Sequence, residues 1–176
     1  MQKSEIKEKL LEIIDSNREQ IIDLVEKIYE NPELGYKEEK TTEIIAEAFS
    51  ELELDFNEHQ NLSGINAVYE MEKEGPRIAV LGELDAITCS EHPDADPETN
   101  AVHACGHNIQ LGVMYGVAAA VKEAGLDSEL AGSLKFISTP AEEFIELEYR
   151  DKLREEGRIN YFGGKQELIK RGAFDD

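Results

Sequence analysis

Tryptophan is missing from these 176 residues, cysteine occurs only twice, and 18 Lys and Arg face 39 Asp and Glu. Two cysteines, Cys89 and Cys105, cannot build the multi-bridge framework of a small secreted domain. No apolar run approaches the ~18 residues of a membrane helix. The shortage of basic residues leaves a net charge of −21, which repels polyanions, so neither nucleic acid nor an acidic membrane is expected as a partner. The opening MQKSEIKEKLLEII is charged throughout, without a signal-like apolar core, and a cytoplasmic location is expected. Also lacking are a paired Cys-x-x-Cys, a His-Glu-x-x-His helix, a Pro-Cys-x-x-Cys string, a nucleophile elbow, a phosphate-binding loop and a dinucleotide fingerprint. These absences exclude the commoner zinc-finger, zincin, deaminase, serine-hydrolase and nucleotide-binding readings.

The length fits one core. Leu10, Ile14, Ile21, Val25 and Ile28 fall at helical spacing over 4–30, and Ser16-Asn17-Arg18-Glu19 matches a capping box where the helix can break and restart. Asn31-Pro32-Glu33-Leu34-Gly35 stops it, and a second helix is expected over 38–52. Alternation at Ile65, Ala67, Tyr69 and Met71 predicts a half-buried strand, with a turn at Lys73–Pro76. The continuous run Ile78–Leu81 reads as a strand covered on both faces, and 88–102 as a loop. A helix over 108–122 ending at Gly125, a strand over 134–138 and a charged helical tail over 144–176 follow. The tail's Glu146 and Arg150 stand at i, i+4 and read as a solvated face. Helices followed by interleaved strands and helices predict a layered α/β domain.

Three clusters could carry chemistry. His103, Cys105 and His107 stand at i, i+2, i+4, a spacing that a turning backbone can aim at one point, and imidazole and thiolate suit zinc and its neighbours. Gly106 lets the backbone turn into the following helix, whose N-terminus would favour a Cys105 thiolate. The bland alternative is a small buried Cys between two loop histidines. Glu142-Glu143 and Glu83-Leu84-Asp85 each follow an apolar strand. Alone, the glutamates would be acids at a helix start, and Glu83 and Asp85 turn caps. If the strands run parallel, both clusters share the sheet edge where α/β folds place ligands. His59 and His92 lie in polar context and are expected to be solvated.

Asn31-Pro32-Glu33-Leu34-Gly35, Leu84-Asp85-Ala86, His103-Ala104-Cys105-Gly106-His107 and Pro140-Ala141-Glu142-Glu143 occur in the order typical of the M-twenty metallopeptidase family. The chain most resembles its amidohydrolase branch, from Asn31 onward. The resemblance implies a zinc-peptidase-like α/β/α sandwich around a mostly parallel or mixed sheet, and a site for two divalent ions, zinc or manganese. By matching positions, Cys105, His107 and Glu143 would bind metal, Glu142 would be the general base and acid, and Asp85 would orient a ligand. Substrates would be N-acyl amino acids or small dipeptide-like amides, and a homo-oligomer is compatible with the family.

The sequence also departs from its relatives. Leu81–Thr88 differs from the usual stretch, which puts the role of Glu83 in question, and Phe144–Phe162 intervenes before Gly163-Gly164-Lys165. The family's two further metal-binding histidines have no counterpart after His107. Residues 1–176 are therefore expected to be the N-terminal part of a catalytic domain, without its C-terminal part or lid domain, and inactive alone. The alternatives are an inert module that binds metal or a partner, and a subunit completed by a second chain.

Overall fold

The computed structural model describes residues 1–175; Asp176 lies outside the described residues. The N-terminal amphipathic stretch forms α1 (Lys3–Ser16) and α2 (Arg18–Tyr29), broken at Asn17. The Asn17 amide donates to the Ile13 carbonyl at 3.0 Å and to Glu123 at 3.1 Å, tying the break to a distant part of the chain. Helix α3 (Glu39–Glu51) buries Ile44, Ile45, Ala48 and Phe49. Then come β1 (Phe56–Glu58), β2 (Ile65–Glu70), β3 (Lys73–Glu83), β4 (Ile87–Thr88) and β5 (Ala101–Val102). Helix α4 (His107–Ala124), β6 (Ala131–Thr139), α5 (Leu147–Glu155) and α6 (Gly164–Lys170) complete the order.

The main sheet runs β1-β2-β6-β3. Strand β6 is antiparallel to β2 and parallel to β3, because α4 carries the chain back across the sheet between the parallel pair. The sheet is thus mixed, within the expected class. Leu24 and Ile28, Phe49, Leu111, Met114 and Phe136 share the main core, and Phe49 meets Phe136 edge to face at 5.7 Å between ring centroids. Lys135 and Ile137, on the opposite face of β6, are buried as well, so this strand is covered on both sides.

Several expectations need correction. Lys73–Pro76 is not a turn but the start of β3, whose register against β6 shifts between Lys73 and Arg77. That irregularity accommodates Pro76, which has no N–H for the ladder. Ile78–Leu81 is not covered on both faces: Ile78 is 57% exposed, because β3 is an outer strand among the described residues. The 88–102 loop is flanked by a small ribbon pairing Ile87 with Val102 and Thr88 with Ala101. Glu142 and Glu143 do not open a helix; helix resumes only at Leu147. Arg150 is no solvated partner of Glu146 but wholly buried, donating to the Phe162 carbonyl at 2.7 Å.

The Gly163-Gly164 pair has a steric cause. The Gly164 N–H donates to the Ala141 carbonyl at 3.0 Å, and a Cβ there would lie 1.7 Å from the Pro140 carbonyl oxygen. Gly164→Ala must therefore push α6 off the end of β6, at a cost of about 1–3 kcal/mol. A urea or thermal melt checks this; a midpoint equal to wild type would show that the contact relaxes freely.

Candidate metal centre

The parallel register pairs Glu83 with Thr139, so the segments leaving β3 and β6 emerge at one sheet edge. Asp85, two residues beyond Glu83, is fully buried. Its two carboxylate oxygens accept the N–H groups of Glu142 and Glu143, each at 3.0 Å. The preceding amide, of Ala141, donates to the buried Glu38 carboxylate at 2.7 Å. Two buried carboxylates thus fix three successive amides. Ala141 holds a left-handed φ of 51°, which this grip imposes on a residue that would not choose it.

Gly106, at φ 81°, turns the chain into α4 and brings His107 to the same edge. Its Nδ1 lies 2.7 Å from the Asp85 carbonyl, which can only accept, so Nδ1 carries the proton in that bond. Nε2 then faces the acids: Glu83 Oε2 at 3.0 Å, Glu143 Oε1 at 3.9 Å and Glu142 Oε2 at 4.0 Å. Glu83, His107 and Glu142 each offer a ligand atom within 4.8 Å of the others. Cys105 is exposed and feels the charges of Glu143, Glu142 and Asp85. Glu83 is engaged from two further sides: Gln110 donates to its Oε2 at 2.9 Å and the Lys165 ammonium pairs with its Oε1.

These neighbours reset the protonation equilibria. Burial alone would lower the His107 pKa, but the Asp85 side chain and carbonyl and the charge of Glu83 raise it to about 9. Asp85 is pushed up by burial, yet His107 and the Glu142 and Glu143 amides outweigh that and hold it below the usual carboxylate range. The neighbouring Glu143 carboxylate, burial and the negative charge of Glu142 and Asp85 push the Cys105 thiol up to about 11. The expected helix-start thiolate is therefore corrected for the metal-free chain: the carboxylates outweigh the helix end.

All five residues singled out from the motifs, Asp85, Cys105, His107, Glu142 and Glu143, lie at this edge. His103 does not join the donor cluster. It is buried, neither ring nitrogen has a hydrogen-bond partner, and burial drops its pKa to about 4. His59 is also corrected: it is buried, and its Nε2 donates to the Ser138 carbonyl at 3.0 Å. Sequence reasoning undervalued Glu83, although its i, i+2 relation to Asp85 was the available signal. It missed Lys165 and Glu38, which no local pattern distinguishes from other charged residues.

No family profile matches the chain. Among curated proteins it is 33% identical over 163 residues to an IAA-amino acid hydrolase of Arabidopsis thaliana, covering 89% of this chain and 36% of that protein. It is 31% identical over 141 residues to thermostable carboxypeptidase 2 of Saccharolobus solfataricus, covering 77% of this chain and 35% of that protein. A dinuclear metal-binding peptidase of the M-twenty family from Bacillus subtilis superposes with TM-score 0.70 at 24% identity, covering 90% of this chain and 40% of that one. What the superposition shares is the mixed α/β fold whose strand edge, in this chain, is lined by acids and an imidazole. Over most of its own length the chain is similar to these hydrolases, and it shares the fold of the M-twenty peptidase. It spans about a third of the length of these curated relatives.

The donors suit a divalent ion. Ligand bonds of ~2.0–2.3 Å place atoms on opposite sides of one ion ~4–4.6 Å apart, close to the spread of Glu83, His107 and Glu142. Carboxylate, imidazole and thiol together match the borderline character of zinc and similar ions. The backbone carbonyl on Nδ1 is the outer contact that commonly orients a ligating histidine.

Proposed function

We propose that this chain carries the site of a metal-dependent amidohydrolase that cleaves the amide bond of N-acyl amino acids or small peptide-like substrates. In this reading, residues 1–176 are the N-terminal part of its catalytic domain, working in the cytoplasm, where Cys89 and Cys105 stay reduced. Cys105, His107 and Glu143 are the residues that hold two divalent ions, zinc or manganese, with Glu83 within reach of the same place. The observation that carries the reading is the His107 ring, held at Nδ1 by the Asp85 carbonyl, with Nε2 turned toward three glutamates.

Such ions, when bound, lower the pKa of water from 15.7 towards about 7 and polarise a carbonyl. The protein's own contribution is orientation and proton handling. Asp85 fixes the His107 ring and, through two amides, the direction of Glu142 and Glu143. Glu142 is 37% exposed at the side chain, open to a substrate, whereas Asp85 is sealed. Glu142 takes the proton of the attacking water and delivers it to the amine that leaves as the C–N bond breaks.

Replacing the matching segment of the Arabidopsis hydrolase with this chain tests the reading. The chimera, supplied with zinc or manganese, should release amino acid from an indoleacetyl conjugate, and His107→Ala should abolish both bound metal and release. A folded chimera that takes up no metal would refute the proposal. The 176-residue chain alone is expected to bind metal weakly and to show no turnover, checked by metal analysis and the same assay.

A further inference from the structure

Glu83, Asp85, Glu142 and Glu143 crowd one strand edge, and α6 answers them with one residue, Lys165. Its ammonium pairs with Glu83 Oε1 and lies 3.7 Å from Glu142 Oε1. The other oxygens of the same two carboxylates, both Oε2, face His107 Nε2 at 3.0 and 4.0 Å. Both glutamates are therefore shared between a nitrogen on α4 and a nitrogen on α6. Lys165 cannot drift from this place with its backbone, because the neighbouring Gly164 is bonded to Ala141 and packed on Pro140. Its side chain can: it is 42% exposed, and a lysine stem has four rotatable carbons.

We propose that Lys165 is the built-in counter-cation of this centre, and that a divalent ion bound beside His107 competes with it for Glu83. The proposal rests on the reading of this edge as a metal centre. An ammonium and a dication a few ångströms apart repel strongly wherever water is partly excluded, so each weakens the other's hold on a shared carboxylate. Lys165 thus neutralises part of the charge of Glu83 and Glu142 without metal and lowers metal affinity in doing so. A positively charged side chain at the mouth also makes the centre selective for ions that bind carboxylates tightly enough to compete with it.

Calorimetric titration of zinc or manganese into the whole chain tests this, comparing wild type with Lys165→Met, which keeps length without charge, and Lys165→Arg, which keeps charge. Lys165→Met should bind on the order of tenfold tighter or more, and Lys165→Arg should stay close to wild type. Affinity in Lys165→Met equal to or weaker than wild type overturns the proposal while leaving the centre in place. Absence of binding in all three chains up to millimolar metal overturns the centre and the proposal together. If Lys165→Met melts out, seen as loss of helical dichroism, Lys165→Gln replaces it: tighter binding than wild type supports the competition, and equal or weaker binding overturns it.

Discussion

Glu142→Gln, introduced into the Arabidopsis chimera, is expected to lower turnover by about 10²–10⁴-fold while leaving bound metal nearly unchanged. Glutamine matches the shape of glutamate but cannot accept a proton from water, so the loss falls on proton transfer and not on folding. Its backbone N–H still reaches Asp85 Oδ1, and the local geometry survives the change. Glu143→Gln should behave oppositely, losing metal first and activity as a consequence. The pair is discriminating because the two side chains lie almost equally far from His107 Nε2, at 4.0 and 3.9 Å, so distance alone does not divide their work. Metal analysis beside kcat separates them: loss of metal in Glu142→Gln with retention in Glu143→Gln would exchange the roles.

Much of this site was readable in the sequence because its residues cluster in short strings at strand ends. His103–His107 and Pro140–Glu143 each compress several donors into a few positions, and two apolar runs announce the strands that deliver them. What remained hidden depends on contacts between distant segments. Glu38 and Ala141 are 103 residues apart, and Lys165 and Glu83 are 82 apart, so no window includes both. The same distance explains the misread burial. The apolar run of β3 resembles a central strand, yet Ile78 is exposed because neighbours on only one side pair with it. Arg150 carries the composition of a surface helix, but its guanidinium stacks 5.6 Å over the Tyr36 ring and donates to Phe162, which draws it inside.

Glu38 gives the metal-free chain a stability that falls with pH, and Glu38→Gln should remove a large part of that fall. Burial, reinforced by the charge of Asp85, raises its pKa from 4.5 to about 7, although the Ala141 N–H favours the charged form. The folded chain therefore binds this proton more tightly than the unfolded chain does. Its stabilising contribution is complete below about pH 4.5 and is lost as pH rises to about 7. At 1.36 kcal/mol per pKa unit, the loss is about 3 kcal/mol. His107, raised from 6.5 to about 9, extends the decline through that higher window. Glutamine keeps an oxygen for the Ala141 N–H but does not titrate, so the change in unfolding free energy between pH 4.5 and 7 should shrink by about 3 kcal/mol, while the change between 7 and 9 persists. Urea melts of both chains across that range, with metal removed, measure the two slopes. Equal slopes below pH 7 would mean that Glu38 is already ionised in the folded chain, and that the grip on Ala141 is a full charge bonded to an amide.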